Sequence, residues 1–144
     1  MPDTRGDAKT TGFTAAEKAA MKERARELKA AQSGADAERD LREKIAELPQ
    51  PDKGMAERLH DIVTTAAPHL TPRTYYGMPA WAKDGKVLCF FQPKAKFKAR
   101  YATFGFNDDA ALDAGPMWAT SWALTELTPE VEREIARLVT QAAS

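Results

Sequence analysis

Asp84-Gly85 separates two apolar runs, MPAWAK and KVLCFF. A two-residue link of this kind fits a type I′ turn. Both central residues of that turn need positive φ, which Gly takes freely and Asp tolerates. The pair therefore predicts an antiparallel hairpin, and only folds that contain one are open to this chain. Folding about the turn sets Lys83 opposite Lys86, Ala82 opposite Val87 and Trp81 opposite Leu88. Trp81, Leu88 and Phe90 then share one face, and Ala82, Val87, Cys89 and Phe91 the other. Both faces are apolar beyond the lysine pair, so the second strand is expected at the centre of a sheet covered on both sides.

Patterning on either side of the hairpin completes the architecture. TAAE at Thr14 to Glu17 is a capping box, opening a helix to about Ala31 whose apolar stripe is thin: Met21, Ala25 and Leu28. That helix is expected to be mostly solvated and weakly docked. QSGAD breaks it, and a second helix from about Asp36 carries Leu41, Ile45 and Leu48. Pro49 and Pro51 end it. A third helix, about Lys53 to Ala67, presents Met55, Leu59, Ile62, Val63 and Ala66 at helical spacing. After the hairpin, Lys94, Lys96, Lys98 and Arg100 alternate with apolar residues, but Phe104 and Phe106 fall on the parity of the lysines. The reading is a loop over Gln92 to Lys98, then a strand from about Arg100 to Phe106. Asn107 or Asp108 is expected to cap a short helical turn. MWATSWAL alternates as a strand, and TPEVEREIARLVTQA is a helix with Thr128 at its N-cap, Pro129 at N1 and Val131, Ile135, Leu138 and Val139 buried. The prediction is an α+β domain: an antiparallel meander of about four to six strands, with N-terminal helices and a C-terminal helix packed mainly on one side. Residues 1–12 are read as a disordered tail, 13–50 as a helical extension and 51–144 as the α+β domain.

Charge narrows the function classes. Lys and Arg number 21 and so do Asp and Glu, a net charge of zero, which argues against generic duplex binding by basic excess. No apolar run reaches the ~20 residues of a membrane helix. The polar N-terminus lacks a leader's apolar stretch, and the single cysteine, Cys89, permits no intrachain disulfide. These features predict a cytoplasmic protein, a monomer or weak homodimer, with no membrane or nucleic-acid partner.

Few residues carry chemistry. His60 flanks the apolar stripe of the third helix and His69 lies in a Pro-bounded loop; neither has a ligand at a metal-binding spacing, and both read as partly exposed. Cys89, on the central strand, reads as a small buried hydrophobe rather than a nucleophile. No nucleophile–base pair can be assembled, so an enzyme ranks behind a binding protein. The ligand-binding set is Tyr75, Tyr76, Trp81, Lys98 and Arg100, where aromatics beside basic side chains would hold a small anionic or aromatic metabolite. The alternative for the aromatics is core and hairpin structure, and for the basic residues protection of a sheet edge.

TPRTYYGMPAWAKDGKVLCFF, RYATFGF and WALTELTPEVEREIARLV resemble the YdhG-like family of small bacterial domains of unknown function. The resemblance spans roughly Pro51 to the C-terminus, and Tyr-Gly-Met-Pro is its most specific segment. The extra helices before it resemble those of extended actinobacterial-type members. The resemblance implies a frataxin-like fold, no accepted enzymatic activity and, through one branch, iron chaperoning. Iron enters as a cofactor only on this ground. Frataxin-type iron sites use clustered surface carboxylates. Asp108, Asp109 and Asp113 are the candidates, beside Asp36, Glu38, Asp40, Glu43 and Glu47 on the second helix. The latter alternate with Arg39, Arg42 and Lys44, as on a solvated face.

Overall fold

The computed structural model describes residues 14–30 and 34–144. The expected tail at 1–12, the break at Gln32-Ser33 and the side chain of Leu28 lie outside the described residues. The order is α1 (Ala15–Ala30), α2 (Gly34–Glu47), α3 (Asp52–Ala66), β1 (Thr71–Tyr75), β2 (Met78–Lys83), β3 (Lys86–Gln92), α4 (Lys94–Phe97), β4 (Ala102–Phe106), β5 (Ser121–Leu124) and α5 (Pro129–Ala142). The strands form one open antiparallel sheet in sequence order. The chain is thus α+β, as predicted, with five strands. No described helix is long and apolar enough to cross a membrane.

The hairpin turn forms as expected, with Asp84 at φ 51° and Gly85 at φ 83°, and Lys83 and Ala82 meet Lys86 and Val87. One step further the register slips. A bulge between Trp81 and Ala82 puts Trp81 opposite Cys89, not Leu88. One extra residue on β3 reverses the phase. Asn107 accounts for the carbonyls at the irregularity: its N–H donates to Leu88 O and its Nδ2 to Val87 O. The slip gathers Trp81, Cys89, Phe91, Phe104 and Phe106 on one face, through the pairs Cys89–Phe106 and Phe91–Phe104. Leu41 and Ile45 of α2, Leu59 and Val63 of α3, and Ile135 and Val139 of α5 join them in the core. Phe90 goes to the other face, opposite Ala80 and Gly105. A Cβ on Gly105 would lie 2.7 Å from Phe90 Cζ, so the ring lies on the glycine.

Capping chemistry places the helices as read. Thr14 and Glu17 exchange backbone-to-side-chain bonds of 2.9 and 3.0 Å, and Val131 N–H donates to Thr128 Oγ1. Other boundaries move. Lys94–Phe97 is one helical turn closed by Lys98 at φ 53°, so the lysine alternation there is not strand patterning and β4 starts only at Ala102. Asn107 to Ala110 is a turn, not a capped helical segment. MWATSWAL is strand only from Ser121: β4 ends at Phe106, whose N–H reaches Thr120 O, leaving residues 117–119 nothing to pair with. A first strand over Thr71–Tyr75, not singled out in the sequence, forms one edge of the sheet.

Candidate functional site

Among the described residues, buried charge gathers where α1 meets the sheet. β1 and β2 are joined by a second two-residue turn, Tyr76-Gly77, with φ of 53° and 78°. This turn geometry is the same as at Asp84-Gly85, but its amides are claimed by a side chain. Glu27, 7% exposed, accepts from the N–H of Tyr76 and of Gly77, each at 2.8 Å. Glu23, one helical turn earlier, takes Lys96 Nζ at 2.9 Å and pairs with Lys44 of α2. Burial opposes ionisation of Glu23, but the hydrogen bonds from Lys44 and Lys96 outweigh it and hold its carboxyl below the usual range. The φ of Gly77 favours glycine, and a Cβ there would fall 2.5 Å from Glu23 Oε1 and 2.8 Å from Lys96 Cε, so it would push the ends of that ion pair aside.

The two described members of the thin apolar stripe do not hold α1. Met21 is 48% exposed and Ala25 is exposed, while Ala20 and Glu27 are buried. The helix docks by carboxylates on amides and ammonium groups, which hydrophobic periodicity does not register. Glu23 and Glu27 at i and i+4 on one face were the available sign.

Two guanidinium groups complete the cluster. Arg24 lies over the rings of Tyr75 and Tyr76, 4.9 and 5.5 Å from their centroids, and the rings meet edge-on at 4.8 Å. Its Nη1 is buried, has no hydrogen bond among the described residues and sits 4.0 Å from Glu27 Oε1. Arg73, two residues before Tyr75 on the same face of β1, is 8% exposed. Its Nε donates to the Thr74 carbonyl at 3.3 Å; among the described residues its terminal nitrogens have no acceptor, and no carboxylate pairs with it. Burial, then the neighbouring Arg24, lowers its pKa, with Glu27 opposing. Next to this cluster a mostly apolar cleft of about 270 Å³ is lined by Ala20, Met21, Tyr76, Met78 and Phe97, with Glu17 and Gln92 as its polar members.

The other predicted site residues do not assemble here. Trp81 is 0% exposed and donates its indole N–H to His60 Nδ1 at 3.2 Å, so it lines no surface pocket. Lys98 is exposed at the end of α4, and Arg100 stacks 5.1 Å from the Tyr101 ring; no hydrogen bond or ring contact joins either to Tyr75 or Tyr76. Only Tyr75 and Tyr76 of the five stay together. Asp108, Asp109 and Asp113 are exposed, Asp109 lies 3.8 Å from Lys86, and the described residues hold no group of three or more acids, His or Cys able to bind a metal. Asp52, 1% exposed, was not singled out: its Oδ2 accepts from Ala95 N–H at 3.0 Å and so caps α4 from another element, while Oδ1 has no partner among the described residues. Burial pushes the Cys89 thiol up, consistent with the reading of a hydrophobe.

His60 is buried, not partly exposed as expected. Because Nδ1 accepts from Trp81, neutral His60 carries its proton on Nε2, which faces Glu38 at 3.8 Å. Glu38 in turn receives Arg42 at 2.7 Å. Burial first, and Arg42 second, lower the pKa of His60 from its ordinary 6.5. Protonation on Nδ1 would also set two donors face to face. The folded state therefore holds its proton less tightly than the unfolded chain, so stability is full above about pH 6.5 and falls as pH drops toward the lower folded value. Each unit between the two values is worth about 1.4 kcal/mol. Urea midpoints at pH 7.5 and pH 5 should differ more for the native chain than for His60→Gln; equal pH dependence would remove His60 as the source.

Comparison with models of known protein families, with curated proteins and with solved structures finds no match.

Proposed function

We propose that the protein is a non-enzymatic binding domain whose ligand is a small organic anion, a carboxylate with an apolar or aromatic body, held at Arg24, Arg73, Tyr75 and Tyr76. The observation that carries this is Arg73, a residue 8% exposed whose terminal donors meet no acceptor among the described residues, have no carboxylate pair and reach the surface. A planar bidentate anion is what a guanidinium with open terminal donors fits best. Glu27 is near enough to oppose the lowering of the Arg73 pKa, but its hydrogen bonds go to the turn amides and none joins it to Arg73. The adjoining cleft at Tyr76, Met78 and Phe97 suits the ligand's apolar part.

Thermal shift and calorimetry with benzoate, acetate and inorganic phosphate test the assignment. Benzoate is expected to bind more tightly than acetate. Arg73→Gln should weaken it at least about tenfold, roughly 1.4 kcal/mol, and leave the ligand-free protein folded. No binding by any of the three probes, or binding that Arg73→Gln leaves unchanged, would overturn it.

We also keep the YdhG-like, frataxin-like assignment of residues 51–144 as a proposal. It is supported by the antiparallel meander and the helix that follows it. Iron chaperoning, which the resemblance implies for one branch, gains no support from the dispersed Asp108, Asp109 and Asp113.

A further inference from the structure

The free edge of the sheet at β5 carries no charge. Between Asp113 and Glu126 the run AGPMWATSWALT has none, in a chain where 29% of residues are charged. Proteins ordinarily guard edge strands with Lys, Pro or covering elements. The opposite edge follows that rule: β1 contains Pro72 and Arg73 and lies against α2. At β5 the bond from Phe106 N–H to Thr120 O sets the parity. Thr120, Trp122 and Leu124 turn their main-chain groups toward β4, so Ser121 and Ala123 turn theirs outward. Among the described residues nothing hydrogen-bonds those outward groups, and both side chains are exposed.

Apolar features sit at the two ends of this edge. Before it, Met117 and Trp118 project, 86% and 39% exposed. Alongside its far end, a cleft of about 180 Å³ opens between β5 and α5, lined mainly by Trp122, Leu124, Val131, Ile135 and Leu138, with Glu134 as its one charged member. Antiparallel pairing reverses one strand against the other. Two copies of this edge would therefore bring the projecting residues of each to the cleft of the other, a self-complementary arrangement. Self-pairing sets residues against those of an identical strand, so a charged edge would meet its own charge; this one does not.

We propose that β5 pairs antiparallel with β5 of a second copy about a two-fold axis, giving a continuous ten-stranded sheet with Met117 and Trp118 of each chain seated on the β5–α5 cleft of the other. The interface is small, so dimerisation is concentration-dependent. Sedimentation velocity on the full chain from about 5 to about 500 μM should show the mass rising from one copy toward two. Ser121→Pro removes an outward N–H and spares the β4 ladder. Ala123→Lys places an ammonium group in the pairing edge, and Trp118→Ala removes the projecting ring. Each is expected to weaken association at least about tenfold while the melting temperature of the dilute protein is unchanged. A monomer at every concentration would assign the edge to a foreign strand and overturn the self-pairing. So would a dimer that all three variants leave intact.

Discussion

Trp81→Ala is expected to lower the unfolding free energy by about 3–5 kcal/mol, the range for a large aromatic removed from a packed core. The ring is fully buried, paired across β2 and β3 with Cys89 and across β1 and β2 with Pro72. Truncation leaves a cavity among the core residues and orphans His60 Nδ1, a buried acceptor. Trp81→Phe separates the two effects: most of the ring volume stays and the N–H is lost, so about 1–2 kcal/mol should follow. Urea titrations followed by far-ultraviolet circular dichroism give both numbers without relying on the fluorescence of the residue removed. A loss below about 1 kcal/mol for the alanine variant would mean that Trp81 is not held in the core.

The Trp81 environment also shows where a sequence stops being readable. Turn chemistry is local, so Asp84-Gly85 fixed two cross-strand pairs correctly. Capping is local too, and Thr14 and Thr128 behaved as their neighbours implied. The bulge one step beyond the turn is not local. It depends on which aromatic face the helices cover and on Asn107 reaching back to β3, about twenty residues away in sequence. β1 was passed over because TPRTY alternates weakly and holds a proline, features that mark an edge strand rather than a central one. The candidate site was legible only in its tyrosines. Glu27, Arg24 and Arg73 are ordinary charged residues by pattern, in a chain rich in them, and become a cluster only when α1 crosses the Tyr76-Gly77 turn. Trp81 and Arg100 lie apart from them for separate reasons: the indole faces the core and the guanidinium stacks on Tyr101.

Glu27→Ala should cost about 2–4 kcal/mol, because it leaves two turn amides under a docked helix without an acceptor, at about 1–3 kcal/mol for each group that stays buried. The Tyr76 and Gly77 N–H groups diverge from one hairpin turn, and only a carboxylate offers two acceptor oxygens to them. Glu27→Gln restores one bond and sets an NH₂ group against the other N–H, so it should recover less than half of the loss. An upper limit exists as well. If the buried amides become costlier than the docking of α1, the helix lifts and water satisfies them. The point variant can therefore cost no more than the docking energy itself, and a chain lacking residues 1–31 should unfold cooperatively at a urea midpoint at or below that of Glu27→Ala. High salt should weaken the native contact little, since Glu27 is buried and bonded to uncharged donors. A Glu27→Ala loss under about 0.5 kcal/mol, the scale of an exposed surface change, would show that α1 is not anchored through this carboxylate.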